Sequence, residues 1–218
     1  MKPAAFLFDL DGTLVDTESA WTRAIVDFLA ERGAVASYDD ILPQVVGRNW
    51  LDINRMLHEG FPAIGESSPT DDAKALRRHY AKYAASPEKM RIEGSITFFK
   101  AAARIAPCAI VSGSPHDDVV EAARICGIAD DVSLFLGAGE YARGKPDPSG
   151  FLKAAEILGV EPSECVVVED STVGVAAGVA AGMKVLALAR PSPVRHDLAG
   201  ATWTAGDLSA IDVERMFS

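Results

Sequence analysis

Asp9-Leu10-Asp11-Gly12 sets two carboxylates two residues apart, at the end of the short apolar run from Ala5 to Asp9. In extended chain, residues two apart point to the same side. One carboxylate can therefore attack a phosphorus while its neighbour lies near the leaving oxygen. Gly12 permits a tight turn in which successive N–H groups face phosphoryl oxygens. Further acids, hydroxyls and one lysine close other apolar runs: Ser112 and Ser114 after Cys108 to Val111, Lys145 beyond Leu134 to Leu136, and Glu169-Asp170 after Cys165 to Val168. Four carboxylates gathered together repel, and burying each unpaired costs on the order of several kcal/mol. A hard divalent cation removes the conflict, and Mg²⁺ takes oxygen ligands while keeping waters and phosphate oxygens. Lys145 adds a positive charge that metal binding does not need. An anionic substrate or a covalent phosphoryl intermediate does need it.

The elements that must position these residues follow from the hydrophobic pattern. Short apolar runs, with Lys184 to Leu188 as a fifth, alternate with helix-length segments: Glu18 to Glu31, Ile96 to Ile105, Asp117 to Cys126, Phe151 to Leu158 and Val173 to Ala181. Gly33, Gly127, Gly159 and Gly182 follow four of these, as C-terminal caps. Buried strands alternating with helices predict an α/β fold, a Rossmann-like doubly wound parallel sheet. In such a sheet ligands bind beyond the carboxyl ends of the strands, where the acids, hydroxyls and Lys145 stand. From about Ser19 to Pro87 only helical signals occur: Asp39 to Val46, Leu51 to His58 and Ala73 to Tyr83. That block reads as an inserted α-helical cap domain. The expected division is a core of 1–16 and 88–218 and a cap of 17–87, with hinge candidates at Val15 to Thr17 and Ser86 to Arg91.

Composition narrows the function. The 218 residues are 49% hydrophobic and 24% charged, which fits a globular chain rather than a disordered or fibrous one. A net charge of −10 opposes a phosphate-backbone partner, so no nucleic-acid role is expected. Three scattered cysteines make neither a disulfide framework nor a zinc site, and Cys126 and Cys165 read as buried thiols. No leader core and no membrane-spanning stretch is visible, so a cytoplasmic protein is predicted.

The motifs together resemble a known family. Asp9-Leu10-Asp11-Gly12-Thr13-Leu14-Val15-Asp16-Thr17-Glu18 resembles the first motif of the haloacid dehalogenase-like phosphohydrolases. Val111-Ser112-Gly113-Ser114 is similar to the second, Gly144-Lys145-Pro146-Asp147-Pro148 to the third, and Val168-Glu169-Asp170-Ser171 with Gly174 and Ala176-Ala177-Gly178 to the fourth. The helical insertion resembles the cap of the β-phosphoglucomutase-like subfamily, and Val46-Gly47-Arg48 a cap segment that reaches toward substrate. The resemblance implies that Asp9 is a nucleophile forming an aspartyl-phosphate and Asp11 the general acid, then base. It implies Mg²⁺ on Asp9, the Asp11 carbonyl, Glu169 and Asp170, directly or through water. Ser112 and the Gly113 amide would bind phosphoryl oxygens, Lys145 would neutralise charge, and the cap, through Arg48, Asn49 and Trp50, would choose the substrate and exclude water on closing. His116, just past the second motif, is a rim candidate.

The expected reaction is Mg²⁺-dependent hydrolysis of a small phosphorylated metabolite, a sugar phosphate or sugar-acid phosphate, by a monomer or homodimer with no nucleic-acid or membrane partner. Two alternatives stay open: a phosphohexose mutase, and a non-catalytic phospho-acceptor or binding module. Against the mutase, β-phosphoglucomutases carry a histidine on the first helix where this sequence has Trp21, and Glu93-Gly94 replaces the usual Pro-Gly. Against the module, a pure acceptor needs no second acid on the first strand. Single pieces have blander readings: Asp11-Gly12 as a turn, Ser-Gly-Ser-Pro as turn chemistry, Asp170 or Ser171 as a helix cap. His58 and His79 read as surface residues far from any acid, and Arg77, Arg78 and Lys82 as a solvated helix face.

Overall fold

A computed structural model of the chain describes residues 2–46, 50–84, 90–191 and 196–216. The chain divides into two compact units, one of Met1–Val15 with Arg91–Ser218 and one of Asp16–Met90. The hinge candidates at 86–89 lie outside the described residues. Among the described residues the second unit holds α1 (Thr17–Glu31), α2 (Tyr38–Val45), α3 (Trp50–Gly60) and α4 (Pro69–Ala84). The first holds β1 (Ala5–Phe8), α5 (Glu93–Ala103), β2 (Cys108–Val111), α6 (His116–Cys126), β3 (Leu134–Leu136), α7 (Ser149–Leu158), β4 (Cys165–Glu169), α8 (Thr172–Ala180), β5 (Lys184–Leu188), β6 (Trp203–Ala205) and α9 (Val213–Met216).

The strands form one parallel sheet in the order β3-β2-β1-β4-β5-β6. The chain steps outward from β1 through β2 to β3, then returns to β4 on the other side of β1. That reversal opens a crevice beyond the carboxyl ends of β1 and β4. Both faces are covered, which is why β1 and β2 are apolar throughout rather than alternating, and β4 is apolar up to Glu169. Phe6, Phe8, Ile110 and Val168 pack on one face with Phe98 and Phe99 of α5. Leu7, Ala109 and Val167 pack on the other with Phe151 of α7 and Val175 of α8. Leu7 stands opposite Ala109 on one neighbour and Val167 on the other, so β1 is registered from both sides. The doubly wound fold predicted from the sequence is the fold observed. β6 was not expected: it is three residues long, its middle residue is exposed, and no apolar run announces it.

Gly127 and Gly159 close α6 and α7 in the left-handed conformation, at φ of 64° and 67°, as expected of C-terminal caps. All three cysteines are buried free thiols; burial pushes Cys108 up to about 12 and Cys126 and Cys165 up to about 11. They are inert packing groups.

In the helical unit, α1 packs against α2 and α4 around Ile25, Phe28, Leu29, Ile41, Leu57 and Leu76. Asp16 caps α1 by accepting from the Ser19 N–H at 3.2 Å, and Ser37 caps α2 in the same way. Trp21 stacks on Tyr80 with ring centroids 4.1 Å apart. The two histidines correct the sequence reading. His58 Nε2 lies 2.7 Å from Asp72 Oδ2, and the largely buried His79 places Nε2 2.6 Å from Glu31 Oε2. Each partner acid sits on another helix, 14 or 48 residues away in sequence, so linear spacing hides it. Lys82 is likewise engaged, donating to Asp27 at 3.3 Å.

Asp72 is the polar centre of this unit. It is buried, and it accepts from Asn54 Nδ2 at 2.9 Å and Ser67 Oγ at 2.8 Å as well as facing His58. Burial pushes its carboxyl up, but the donors from His58, Ser67 and Asn54 outweigh that and hold it below the usual carboxylate range. A depressed value means stabilisation that is present above the unfolded pKa of about 4 and lost as the pH falls through the folded value. Asp72→Ala leaves three donors without their acceptor and should cost about 2–4 kcal/mol in urea unfolding at neutral pH. The deficit should shrink as the pH drops below about 4; a neutral-pH loss under about 0.5 kcal/mol would show that the network carries no stability.

Candidate active site

The central strand β1 ends at Phe8, and the next residue, Asp9, donates its N–H to the Val168 carbonyl at 2.9 Å. This bond carries the β1–β4 ladder one step further and presents the Asp9 side chain at the crevice. Lys145 reaches in from the loop after β3. Its Nζ donates to Asp9 Oδ1, to Glu169 Oε1 at 2.6 Å and to the Val111 carbonyl at 3.2 Å. One ammonium thus ties the ends of β1, β2 and β4.

Glu169 is fully buried, and both of its oxygens are engaged. Oε1 takes Lys145, while Oε2 accepts from the N–H groups of Asp170 and Ser171, each at 3.0 Å, and from Ser171 Oγ at 2.9 Å. Ser171 also caps α8, its oxygen accepting from the Gly174 N–H at 3.0 Å. Of the two capping candidates, Ser171 is the cap. Asp170 instead accepts from Thr13 Oγ1 at 2.9 Å, and Thr13 is buried within the first motif. Asp9, Glu169 and Asp170 each offer an oxygen within 4.8 Å of the others.

Burial pushes the Asp9 carboxyl well above its ordinary range; Lys145 pulls it back, while Glu169, Asp170 and Asp11 push it further up. Burial alone would lower the Lys145 ammonium, but Asp9 and Glu169 overcome this and raise it, so it stays charged. Three neighbouring carboxylates against one ammonium leave a net negative, oxygen-lined pocket. That donor set fits a hard divalent cation, which would let Asp9 remain ionised.

Asp11 faces the second motif. Its Oδ2 accepts from Ser112 Oγ at 3.1 Å and from Ser114 Oγ at 2.9 Å. Ser112 is fully buried, its oxygen accepts the Ser114 N–H at 3.0 Å, and its carbonyl accepts from Tyr141 Oη at 2.7 Å. Space above Gly113 is open: a Cβ there would meet no atom within 4 Å. His116 opens α6 and places Nδ1 2.9 Å from Glu140 Oε2, which also accepts the Gly137 N–H at 2.6 Å. Arg48 and Asn49 lie outside the described residues. Trp50 donates its indole N–H to the Pro69 carbonyl at 3.2 Å, within the helical unit.

The structure therefore brings Asp9, Lys145, Glu169 and Asp170 together, with Asp11 on the turn after β1 hydrogen-bonded to Ser112 on the turn after β2. Sequence reasoning gave no role to Thr13 or Tyr141 and read Ser171 only as a possible helix cap, not as a donor to Glu169. Thr13 and Ser171 lay inside motifs already quoted, where a hydroxyl beside a carboxylate is the available signal; Tyr141 carried none.

A family model described as haloacid dehalogenase-like hydrolase matches residues 3–182. The chain belongs to that family. It is 32% identical over 193 residues to hexitol phosphatase A of Escherichia coli K12, covering 88% of this chain and 86% of that protein. It is 30% identical to validoxylamine A 7'-phosphate phosphatase of Streptomyces hygroscopicus subsp. limoneus, over 81% of each chain. A crystal structure of a haloacid dehalogenase family hydrolase from Deinococcus radiodurans R1, with bound phosphate and sodium, superposes with a TM-score of 0.72 at 30% identity, covering 93% of this chain and 90% of that one. This haloacid dehalogenase-like chain is an enzyme, a phosphoric monoester hydrolase, consistent with the β-phosphoglucomutase-like subfamily. No helix among its described residues is long and apolar enough to cross a membrane.

Gly174 tests how tightly this hydrolase site is built. Glycine in a helix usually costs stability relative to alanine, yet here a Cβ would fall within the Glu169 carboxylate. Gly174→Ala should therefore destabilise, by about 1–3 kcal/mol, and should cut phosphate release from p-nitrophenyl phosphate about tenfold or more by displacing Glu169 from Lys145. A variant as stable and active as the parent would mean that the Glu169 clasp is not needed.

Proposed function

We propose that this chain hydrolyses a small phosphorylated sugar, sugar alcohol or sugar acid through a phosphoryl intermediate on Asp9, with Mg²⁺ as its cofactor. The observation that carries the reading is the Asp9 carboxylate itself: nearly buried, held by Lys145, flanked by Glu169 and Asp170, with a second acid two residues on. Asp9 attacks phosphorus as the bond to the leaving oxygen breaks, and Asp11 gives that oxygen a proton. The Asp11 carboxylate then takes a proton from the water that attacks the aspartyl-phosphate, and release of phosphate restores Asp9. Ser112 Oγ and the Gly113 N–H bind phosphoryl oxygens, and Lys145 offsets the charge that builds between nucleophile and phosphoryl group. Asp9, Asp170 and the Asp11 carbonyl would hold Mg²⁺, with Glu169, already engaged on both oxygens, acting through water. Bound there, the ion supplies charge neutralisation for the attack of one anion on another.

Selection among phosphorylated metabolites is assigned to the cap, the helical unit with Arg48 and Asn49, and to His116. Support for a polyol or sugar substrate comes from what the two phosphatase relatives are named for. Hydrolysis is favoured over a mutase because the first-helix position that carries histidine in β-phosphoglucomutases holds Trp21, stacked on Tyr80.

Asp9→Asn should lower phosphate release from p-nitrophenyl phosphate by more than about 10³-fold; turnover at the parent rate would remove the nucleophile assignment. Chelation with EDTA should abolish activity and added Mg²⁺ should restore it, whereas full activity after exhaustive chelation would remove the metal. A panel of hexitol, aldose and sugar-acid phosphates should contain substrates that release inorganic phosphate. Conversion of hexose 1-phosphate to 6-phosphate without release would identify a mutase.

A further inference from the structure

We propose that Ser114 is a positioning residue for Asp11, holding the acid in line during catalysis while Ser112 is occupied with the phosphoryl group. The proposal rests on the reading of Asp11 as general acid. Both serine hydroxyls converge on Asp11 Oδ2, at 3.1 Å from Ser112 and 2.9 Å from Ser114. A hydroxyl has one proton to donate. Once Ser112 donates its hydrogen bond to a phosphoryl oxygen, it no longer donates it to Asp11. Ser114 still donates to that carboxyl, and anchoring one oxygen fixes the direction of the other.

The anchor is itself held. The Ser114 carbonyl accepts the Ala138 N–H at 2.8 Å, tying the loop to the chain just beyond β3. Gly137 lies so close that a Cβ there would stand 2.9 Å from the Ser114 carbonyl oxygen and 2.6 Å from the His116 nitrogen. Glu140 then bridges the Gly137 N–H and the His116 ring. A side chain braced this way can hold Asp11 to the few tenths of an ångström that proton transfer requires. No other role in the reaction is assigned to Ser114.

The chemistry it serves begins with the proton transfer to the leaving group, the step in which substrates differ; the later transfer from water is common to all of them. As the Asp9–phosphorus bond forms and the bond to the leaving oxygen breaks, that oxygen takes the Asp11 proton. A p-nitrophenolate leaves without it, but a phenolate, which is more basic, benefits from it. Ser114→Ala should therefore reduce kcat/KM, which reports the steps through departure of the leaving group, about tenfold on phenyl phosphate and at most about twofold on p-nitrophenyl phosphate. Ser114→Thr, which keeps the hydroxyl, should restore the phenyl phosphate rate. Equal losses of kcat/KM on the two substrates would overturn the proposal and make Ser114 a phosphate ligand or a structural residue. Asp11→Asn is the control: it should show the same selectivity with a larger loss. If Asp11→Asn lowers kcat/KM on both substrates alike, the general-acid reading fails; if it is selective and Ser114→Ala is not, the positioning role alone fails.

Discussion

Like-charge repulsion at the shared end of two adjacent strands is the constraint around which this molecule is built. Two unit charges about 4 Å apart repel by about 4 kcal/mol at an effective dielectric near 20, and Asp9, Glu169 and Asp170 bring three carboxylates to that range. Lys145 answers part of the charge by binding two of them at once. What is left over is a negative, oxygen-lined space that favours a cation and, through the cation and the lysine, an anionic substrate. A site that is costly when empty of positive charge is one in which binding energy is available for catalysis.

The surrounding fold supplies the stiffness that such a site demands. Parallel strands covered on both faces leave β1 and β4 no freedom to separate, so Asp9 and Glu169 cannot relieve their repulsion by drifting apart. Donors then fix each carboxylate in turn. Ser171 is used twice: its oxygen caps α8, and its hydroxyl hydrogen goes to Glu169. The absence of a Cβ at Gly174 makes room for Glu169, and that at Gly12, at φ of 86°, makes room for Asp170. Chain geometry and charge placement are therefore one problem here, solved with the same few residues.

The helical unit solves a smaller version of it. Asp72 is buried and is stabilised by hydrogen bonds from three side chains, one of them the His58 ring. Each of those partners reaches the carboxylate as a donor, and none of them is a second acid. The contrast with Asp9 is instructive: a buried acid surrounded by donors is structural, whereas one surrounded by other acids asks for a ligand.

Much of this was legible in the residues alone. The apolar runs, their carboxyl-end acids and the glycine caps depend on local properties, hydrophobic period and backbone freedom, so strand and helix positions and the identities of Asp9, Asp11, Lys145 and Asp170 could be read in order along the chain. What stayed hidden was every relation between distant segments. His58 and His79 found acids on other helices; Thr13 found Asp170 across 157 residues; Tyr141 found the Ser112 carbonyl; and β6 exists because β5 offers it an edge. The sequence by itself determined which chemical groups are present and which strand ends carry them, because those are matters of residue type and period. Only the tertiary structure decided which oxygen each donor serves, because hydrogen-bond partnership depends on separations of a few tenths of an ångström that no one-dimensional spacing encodes.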